Sequence, residues 1–250
     1  IESGAEINVR SNSGFTPLLF AVREGRAEVV KVLLKAGASA NEALPPSTRR
    51  GSGGAPHGST ALVIAVMNAH FELASILLDA GADPNAGVHG WTALHLISDV
   101  RKPGAGSNDP APPGSGSIDS LEIVRRLVAR GARINQRTSR NRAIGMTSLN
   151  TEGATPFLLA CRTGDLDLMR LLVKLGADPA IPTTDKTTAL MAAAGVGTRS
   201  PGEDAGTEAE SLEAVKFLRE LGADINAVND FGDTAVHGPA YKHFPSVAKY

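Results

Sequence analysis

The chain has 250 residues, of which 42% are hydrophobic, and its 25 basic and 26 acidic side chains leave a formal charge of −1 at pH 7. This apolar content is enough for a packed core and excludes a wholly disordered chain. The balanced charge creates no overall field that would draw the protein onto nucleic acid, so we expect no nucleic-acid partner. No stretch approaches about 18 consecutive apolar residues, and we therefore expect no membrane span.

The common signatures of enzymes and metal sites are missing from the sequence. The only cysteine, Cys161, cannot form an intramolecular disulfide, and no Cys/His spacing typical of a zinc site occurs. Nucleotide-binding glycine loops, the H-E-x-x-H zinc motif and the G-x-S-x-G hydrolase motif are also absent. We therefore predict a non-enzymatic protein without a metal or cofactor.

Two landmarks alternate along the chain: a threonine followed by Pro or Ala and an apolar residue, and a later Gly-Ala turn. Three of the five Thr-to-Gly intervals are 21 residues, and four of the six Gly-to-Thr intervals are 11 or 12 residues. These intervals define a unit of 33 residues, and the longer intervals mark insertions. The threonines are Thr16, Thr60, Thr92, Thr155, Thr188 and Thr234, and the glycines are Gly4, Gly37, Gly81, Gly131, Gly176 and Gly222.

Each unit predicts two helices. The first follows the threonine and is rich in Ala and large apolar residues, as in P-L-L-F-A-V-R after Thr16. The second precedes the glycine and has apolar residues at helical spacing, as at Val30, Leu33 and Leu34. A glycine directly after a helix is typical of a left-handed helix stop. Because so short a pair cannot bury its own apolar face, the units must stack.

This unit, with a T-P/A-L-H segment and a G-A-D-x-N turn, resembles the ankyrin repeat, in which a β-turn hairpin precedes two antiparallel helices. The resemblance covers Gly4 to Tyr250 apart from the insertions. It implies an all-α fold, an α-solenoid of stacked ankyrin repeats. It also implies that His95 and His237 have a structural role beside the hairpins, and that the concave face of the array binds a protein.

The repeats are predicted to form a single array with four insertions. Hairpin insertions are expected at 42–58 and 136–153, and interhelical insertions at 99–117 and 197–210, all as surface loops with little structure of their own. Since the chain begins and ends within a repeat, we expect it to be a fragment of a longer protein. The predicted boundaries are 1–10 for the tail of a preceding repeat, then 11–41, 42–85, 86–135, 136–180, 181–226 and an incomplete repeat at 227–250.

Candidate partner-binding residues follow from the register of the ankyrin resemblance. That register turns the hairpin, and the first-helix residue seven positions after each threonine, towards a partner. Aromatic and arginine side chains at such positions are the usual anchors of interfaces. For the aromatic residues before the threonines, the alternative is packing beneath a neighbouring insertion. The candidates are Phe15, Arg23, Met67, Trp91, Arg162, Phe231 and Tyr241.

The two hairpin insertions supply a second group of candidates. They carry five arginines against two acids, and guanidinium groups suit bidentate contacts with an acidic or phosphorylated partner. The alternative, which we favour, is that these are solvated charges on loops. The residues are Arg49, Arg50, Arg137, Arg140 and Arg142.

We expect a protein–protein interaction scaffold whose partner the sequence does not identify. Two alternatives stay open: a structural protein that assembles with itself end to end, and a targeting or regulatory region of an enzyme encoded in flanking sequence. The insertion-rich style is similar to long bacterial ankyrin-repeat proteins, several of which are exported. We therefore favour a periplasmic or extracellular bacterial protein over a cytoplasmic one.

Overall fold

Regular structure is almost entirely helical in this computed structural model, which describes residues 4–46, 58–104, 112–144 and 147–250. Within these ranges, β pairing is limited to isolated antiparallel bridges. The helices are α1 (Pro17–Arg23), α2 (Ala27–Lys35), α3 (Ala61–Met67), α4 (Phe71–Asp79), α5 (Ala93–Arg101), α6 (Ser120–Ala129), α7 (Pro156–Arg162), α8 (Leu166–Lys174), α9 (Ala189–Ala194), α10 (Glu208–Glu220), α11 (His237–Lys242) and α12 (Pro245–Lys249).

The recurring threonine begins the first helix of a repeat by capping it. The Oγ1 of Thr16 accepts the backbone N–H of Leu19 at 3.2 Å. Thr60, Thr155 and Thr188 cap α3, α7 and α9 in the same way. Such a cap satisfies an N–H that the helix itself cannot pair and contributes about 1 kcal/mol. The threonine column is therefore a set of helix start signals.

The two histidines of the T-x-x-H segment also act at helix starts. The Nδ1 of His95 accepts the backbone N–H of Thr92 at 3.3 Å, and the Nδ1 of His237 accepts that of Thr234 at 3.0 Å. A ring nitrogen that accepts a hydrogen bond carries no proton. Their predicted structural role is confirmed, and the partner is the threonine three residues earlier.

The second helix of each pair ends as predicted. The glycine that follows it is left-handed, with φ of 101° at Gly37 and 100° at Gly176. A side chain would be strained there, because only glycine adopts this conformation at little cost. Acids such as Glu28 in α2 and Asp167 in α8 lie in the first turn, where the helix dipole favours negative charge.

The described residues fall into two compact units. The first comes from the described parts of 1–100 and 112–132. In it α1 packs against α2 and α3, and α4 packs against α2, α3 and α6. Its core contains Leu18, Ile64 and Ile123, whose side chains are fully buried.

The second unit comes from the described parts of 101–111 and 133–250. There α7 packs against α8 and α9, and α10 packs against α8, α9 and α12. Phe157, Leu158 and Leu159 on α7 are at most 1% exposed and form the centre of this core. In both units each helix pair covers the apolar face of its neighbour, as the short predicted pairs require.

Asparagines at the end of the G-A-x-x-N turn join consecutive repeats. The side chain of Asn41 donates to the carbonyl of Gly81 at 3.0 Å and accepts the N–H of Asp83 at 2.8 Å. One repeat thereby satisfies both a donor and an acceptor at the helix stop of the next repeat. The same donation to a glycine carbonyl occurs from Asn85 to Gly131 and from Asn135 to Gly176.

The prediction of an irregular insertion at 197–210 is wrong at its C-terminal end. The helix α10 begins at Glu208, so the insertion lengthens it to 13 residues. Thr207 and Glu210 cap its start reciprocally, with the Thr207 N–H donating to Glu210 Oε2 at 2.8 Å. This T-x-x-E pattern is a capping box. As a result Glu213 lies in the helix interior and not in its first turn.

The first interhelical insertion, 99–117, is also more ordered than predicted where the structure describes it. In the second unit, Arg101 pairs with Asp165, and Lys102 pairs with Glu210. In the first unit, the backbone N–H of Ser117 donates to Glu72 at 3.0 Å. Both described ends of this insertion are therefore held by polar contacts to other repeats.

Candidate functional site

The candidate site is a groove in the second unit, which we call the hairpin groove. It is open to solvent and has a volume of about 410 Å³. Hairpins line one side, and the segment that precedes α7 meets the segment after α9 on the other. Its lining residues are Ser148, Leu149, Asn150, Asp185, Thr187, Val196, Gly197, Asn229, Phe231 and Asp233.

Backbone hydrogen bonds stack the hairpins that form the first side of the groove. The N–H of Thr184 donates to the carbonyl of Glu152 at 2.8 Å, and the N–H of Asp230 donates to the carbonyl of Asp185 at 2.9 Å. The side chain of Asn229 donates to Thr187 Oγ1 at 3.1 Å. These bonds hold successive hairpin tips in register, which makes this side of the groove a defined surface.

The opposite side forms where the hairpin insertion 136–153 meets the segment after α9. The carbonyl of Gly197 accepts hydrogen bonds from the N–H of Ser148 at 2.6 Å and from Thr147 Oγ1 at 2.8 Å. Leu149 is 5% exposed and packs next to Gly197, where an added Cβ would lie 2.9 Å from the Leu149 backbone. A glycine at 197 therefore permits the close approach of the two segments.

The chemistry of the groove combines an exposed aromatic ring with carboxylates. Phe231 is 74% exposed and lies at a hairpin tip. Asp233 is half-buried two residues later, and within the part of the chain that the structure describes its carboxylate accepts no hydrogen bond and joins no ion pair. Asp185 is 8% exposed, and its Oδ1 accepts bonds from Thr183 and from the N–H of Thr187.

In the first repeat the predicted residues Phe15 and Arg23 come together. The Arg23 guanidinium lies 5.0 Å from the ring centre of Phe15 and 4.9 Å from that of Phe20. Its Nε also donates to Glu24 at 2.9 Å. All three side chains of this stack are at least partly exposed. The stack is an interface candidate, although the Arg23 charge is already engaged by two rings and a carboxylate.

Two predicted binding residues are buried, and the prediction of a partner contact is wrong for them in this fold. Trp91 is 4% exposed, and its ring lies 6.0 Å from that of His95. Arg162 is 4% exposed, and its Nη1 donates to Asp204 at 2.8 Å. Residues at the hairpin position of Trp91 are also buried in other repeats, as at Ala154. This position supports packing, the alternative that the sequence left open.

The insertion arginines do not form one basic patch in the described residues. The guanidinium of Arg137 donates to the carbonyls of Gly153 and Pro182, both at 3.0 Å, so it joins two hairpins. Arg140 is exposed and Arg142 is half-buried, and each has a partner within the chain. Arg49 and Arg50 lie outside the described residues.

Met67 and Tyr241 are the remaining candidates. Met67 is half-buried at the end of α3. Tyr241 is 55% exposed, and its hydroxyl donates to the carbonyl of Arg199 at 3.0 Å. Neither lines the hairpin groove. Of the predicted binding set, only Phe231 does so.

Sequence reasoning missed most of the groove. No motif marked Leu149, Val196 or Asp185, because their proximity depends on contacts between segments that lie tens of residues apart. A usable signal was the combination of a hairpin insertion before Thr155 with Gly197, three residues after the end of α9, which together leave room for the two segments to touch.

One cysteine and several side chains of metal-ligating type lie elsewhere in the described ranges. Cys161 is fully buried, and burial raises its thiol pKa well above the ordinary value, so this side chain packs in the core. No group of three or more His, Cys, Asp and Glu side chains in these ranges is placed to hold a metal ion. No helix there is both long and apolar enough to cross a membrane.

Family models for ankyrin repeats match most of the sequence. A model of three ankyrin repeat copies matches residues 115–200, a single-repeat model matches 13–43 and 57–87, and a many-copy model matches 205–250. The chain belongs to the ankyrin repeat family. Ankyrin repeats are generally protein-interaction modules without catalytic activity.

A solved structure confirms the predicted ankyrin-repeat solenoid fold. The human ASB11 ankyrin repeat domain matches with a TM-score of 0.64 over 94% of this chain and 81% of that chain. The two are 21% identical, so this likeness shows the fold alone. The ankyrin fold accounts for the helix pairs, the Thr caps and the Gly stops described above.

A curated relative extends the similarity to a viral protein. Over 92 residues the chain is 34% identical to ankyrin repeat protein L86 of Acanthamoeba polyphaga mimivirus. The match spans 35% of this chain but only 16% of the length of the viral protein. The expectation of an exported bacterial protein is not tested by these relatives and stays a prediction.

Proposed function

We propose that this ankyrin-repeat protein is a non-enzymatic scaffold that binds a segment of another protein in the hairpin groove. The observation that carries the proposal is Phe231, a large aromatic side chain that is 74% exposed at the edge of a 410 Å³ groove. Exposed aromatic residues beside a concave surface are the usual anchors of protein interfaces. The general role of ankyrin repeats supports the same conclusion.

The construction of the groove favours binding with little rearrangement. Its hairpin side is held by backbone bonds at Thr184 and Asp230, and its other side by three hydrogen bonds to the carbonyl of Gly197. A surface that is already ordered loses little conformational entropy when a partner binds. Leu149 and Val196 form an apolar floor against which a partner can bury apolar surface. The polar rim of the groove orients that partner.

A photocrosslinker placed in the groove tests this proposal. The 250-residue protein would carry benzoylphenylalanine at position 231, and a matched variant would carry it at the exposed α10 residue Glu220. We expect a partner captured from position 231 and absent from position 220. The purified partner should then bind the unmodified protein, and Phe231→Ala should raise its Kd by about tenfold. Equal capture from both positions, or an unchanged Kd, would refute the groove as the binding surface.

Self-association is a second candidate, favoured by exposed apolar side chains elsewhere. On α2, Val29 is 50% and Val32 is 58% exposed, and in the last repeat Val228 is 52% and Val236 is 56% exposed. Two different apolar surfaces on one chain suit a head-to-tail contact between copies. Sedimentation velocity over a hundredfold concentration range tests it. A rise in sedimentation coefficient that Val32→Lys abolishes would support it, and a constant coefficient would exclude it.

A further inference from the structure

The lining of the hairpin groove is acidic as well as aromatic. Asp185 and Asp233 line it, and no Lys, Arg or His is found among the described lining residues. Lys186, the basic residue that follows Asp185 in the chain, is engaged, because its Nζ donates to Asp230 at 2.6 Å. Among the residues that the structure describes, no cation of the groove therefore neutralises the Asp233 carboxylate.

The other polar side chains of the groove already use their hydrogen bonds within the protein. The Oδ1 of Asn229 accepts the N–H groups of Phe231 and Asp233, and its amide donates to Thr187. Asn150 accepts the N–H of Glu152 and donates to Thr184.

Two oxygen sites stay available among the described residues. They are the carboxylate of Asp233 and the Oδ2 of Asp185, which accepts no bond there. Asp185 is 92% buried as a residue, with 8% of its surface exposed, so a donor that reaches it would be largely removed from water. These free acceptors call for a ligand that supplies donors and positive charge.

We propose that the segment bound in the hairpin groove is basic, with an arginine side chain seated between the Phe231 ring and the Asp233 carboxylate. A guanidinium stacks on an aromatic face and donates in its own plane to a carboxylate at the same time. A lysine ammonium satisfies the charge but not this paired geometry. The inference rests on the proposed function, since it names the chemistry of the partner for the same groove.

The first repeat already contains an arginine that stacks on aromatic rings beside a carboxylate. There Arg23 of the chain itself lies over Phe15 and Phe20 and pairs with Glu24. In the hairpin groove the aromatic ring and the carboxylate are present, and none of the described lining residues is a cation. The first repeat thus shows, within this protein, how an arginine fills such a surface.

Bead-bound pools of random nonapeptides test the inference directly. Their central residue would be fixed as Arg, citrulline, Leu or Glu, and the full 250-residue protein would be the binding partner. We expect retention by the Arg pool above all others. In a peptide selected from that pool, replacing Arg by citrulline, which keeps the shape and removes the charge, should raise the Kd by about tenfold. Raising the salt concentration should weaken the Arg peptide more than the citrulline peptide.

Variants of the protein locate the contact. Asp233→Asn should weaken the Arg peptide by about five- to tenfold and leave the citrulline peptide unchanged. Phe231→Ala should weaken both peptides. The control Glu220→Gln makes the same chemical change at an exposed α10 residue outside the groove and should change neither. Thermal melts confirm that the variants fold, which we expect because neither groove side chain is part of a core.

The outcomes separate this inference from the function on which it rests. Retention by the Leu or Glu pool that depends on Phe231 would overturn the basic ligand and leave the groove as a binding site. A partner that is crosslinked at position 231 and binds Asp233→Asn as well as it binds the wild type would also overturn the basic ligand and leave the groove as a binding site. Failure of all pools together with failure of the crosslink would overturn both.

Discussion

Arg101 donates two hydrogen bonds to the Asp165 carboxylate, from Nε to Oδ2 at 2.5 Å and from Nη2 to Oδ1 at 3.0 Å. The Asp165 side chain is 2% exposed and also accepts the N–H of Leu168, so it caps α8. The pair thus ties the start of the interhelical insertion to the helix start of the next repeat. The insertion rich in Gly, Pro and Ser, which the sequence predicts to have little structure of its own, is therefore anchored at its described start.

Removing this anchor should destabilise the protein. Arg101→Ala leaves the buried Asp165 carboxylate without its cation, and the free energy of unfolding should fall by about 2–4 kcal/mol. Urea denaturation followed by circular dichroism measures it. The control is Arg125→Ala, whose pair with Glu122 is exposed at 3.4 Å and should cost less than about 0.5 kcal/mol. Equal effects of the two substitutions would mean that the Arg101 pair is not a structural anchor.

The asparagine bridges between repeats make a second prediction. Asn41→Ala removes a donor to Gly81 and an acceptor for Asp83, and it should lower the free energy of unfolding by about 1–2 kcal/mol. At the equivalent position of the G-A-D-P-A turn the chain has Ala180. Ala180→Asn should therefore raise the stability by about 0.5–1 kcal/mol. Thermal melts of both variants check this, and a destabilised Ala180→Asn would show that this junction lacks room for the bridge.

The parts of the fold that were predictable are those encoded by neighbouring residues. A threonine cap such as Thr16 involves a residue three positions away, and a stop such as Gly37 depends on its own backbone angle. The first interhelical insertion, 99–117, was misjudged because its order comes from distant partners. Lys102 pairs with Glu210, more than a hundred residues later in the chain, and no local pattern marks such a contact.

In the candidate site, too, some residues could be predicted from the sequence and others could not. Phe231 was predicted because its hairpin position follows from the repeat register. Trp91 was misjudged because register does not report what lies above a hairpin, and here the ring is covered. Leu149 and Gly197 form one wall of the groove only after the insertion before α7 folds back onto the segment after α9. Insertions are outside the repeat pattern, so the repeat pattern cannot place them.

The capping box of α10 predicts a pH dependence. Burial alone would raise the pKa of Glu210, but hydrogen bonds from Lys102 and Thr207 outweigh it and lower the pKa below the ordinary 4.5. A carboxyl with a lowered folded-state pKa stabilises the fold above pH 4.5 and loses that contribution as the pH falls through 4.5 to the folded-state value. Wild-type protein should therefore lose more stability between pH 6 and pH 3 than Glu210→Gln does.

Chemical denaturation at a series of pH values measures this difference. Glu213→Gln is the matched control, since Glu213 is half-exposed on the same helix and, among the described residues, pairs only with Lys216 at i,i+3. Its pH dependence should follow that of the wild type closely. If Glu210→Gln shows the same acid sensitivity as the wild type, the capping box is not the source of the effect.

The two aromatic candidates Trp91 and Phe231 should behave in opposite ways. Trp91 is 4% exposed, so Trp91→Ala creates a cavity and should cost about 3–5 kcal/mol of stability. Phe231 is 74% exposed, so Phe231→Ala should change the free energy of unfolding by less than about 0.5 kcal/mol. For binding we expect the reverse order. Phe231→Ala should lower the affinity for a partner bound in the groove. Trp91→Phe, which keeps most of the buried volume, should leave that affinity close to the wild-type value at a temperature where both of these variants are folded. Denaturation curves and Kd values measured on the same preparations decide this, because a stability loss at Phe231 would assign that ring to packing and remove it as an anchor.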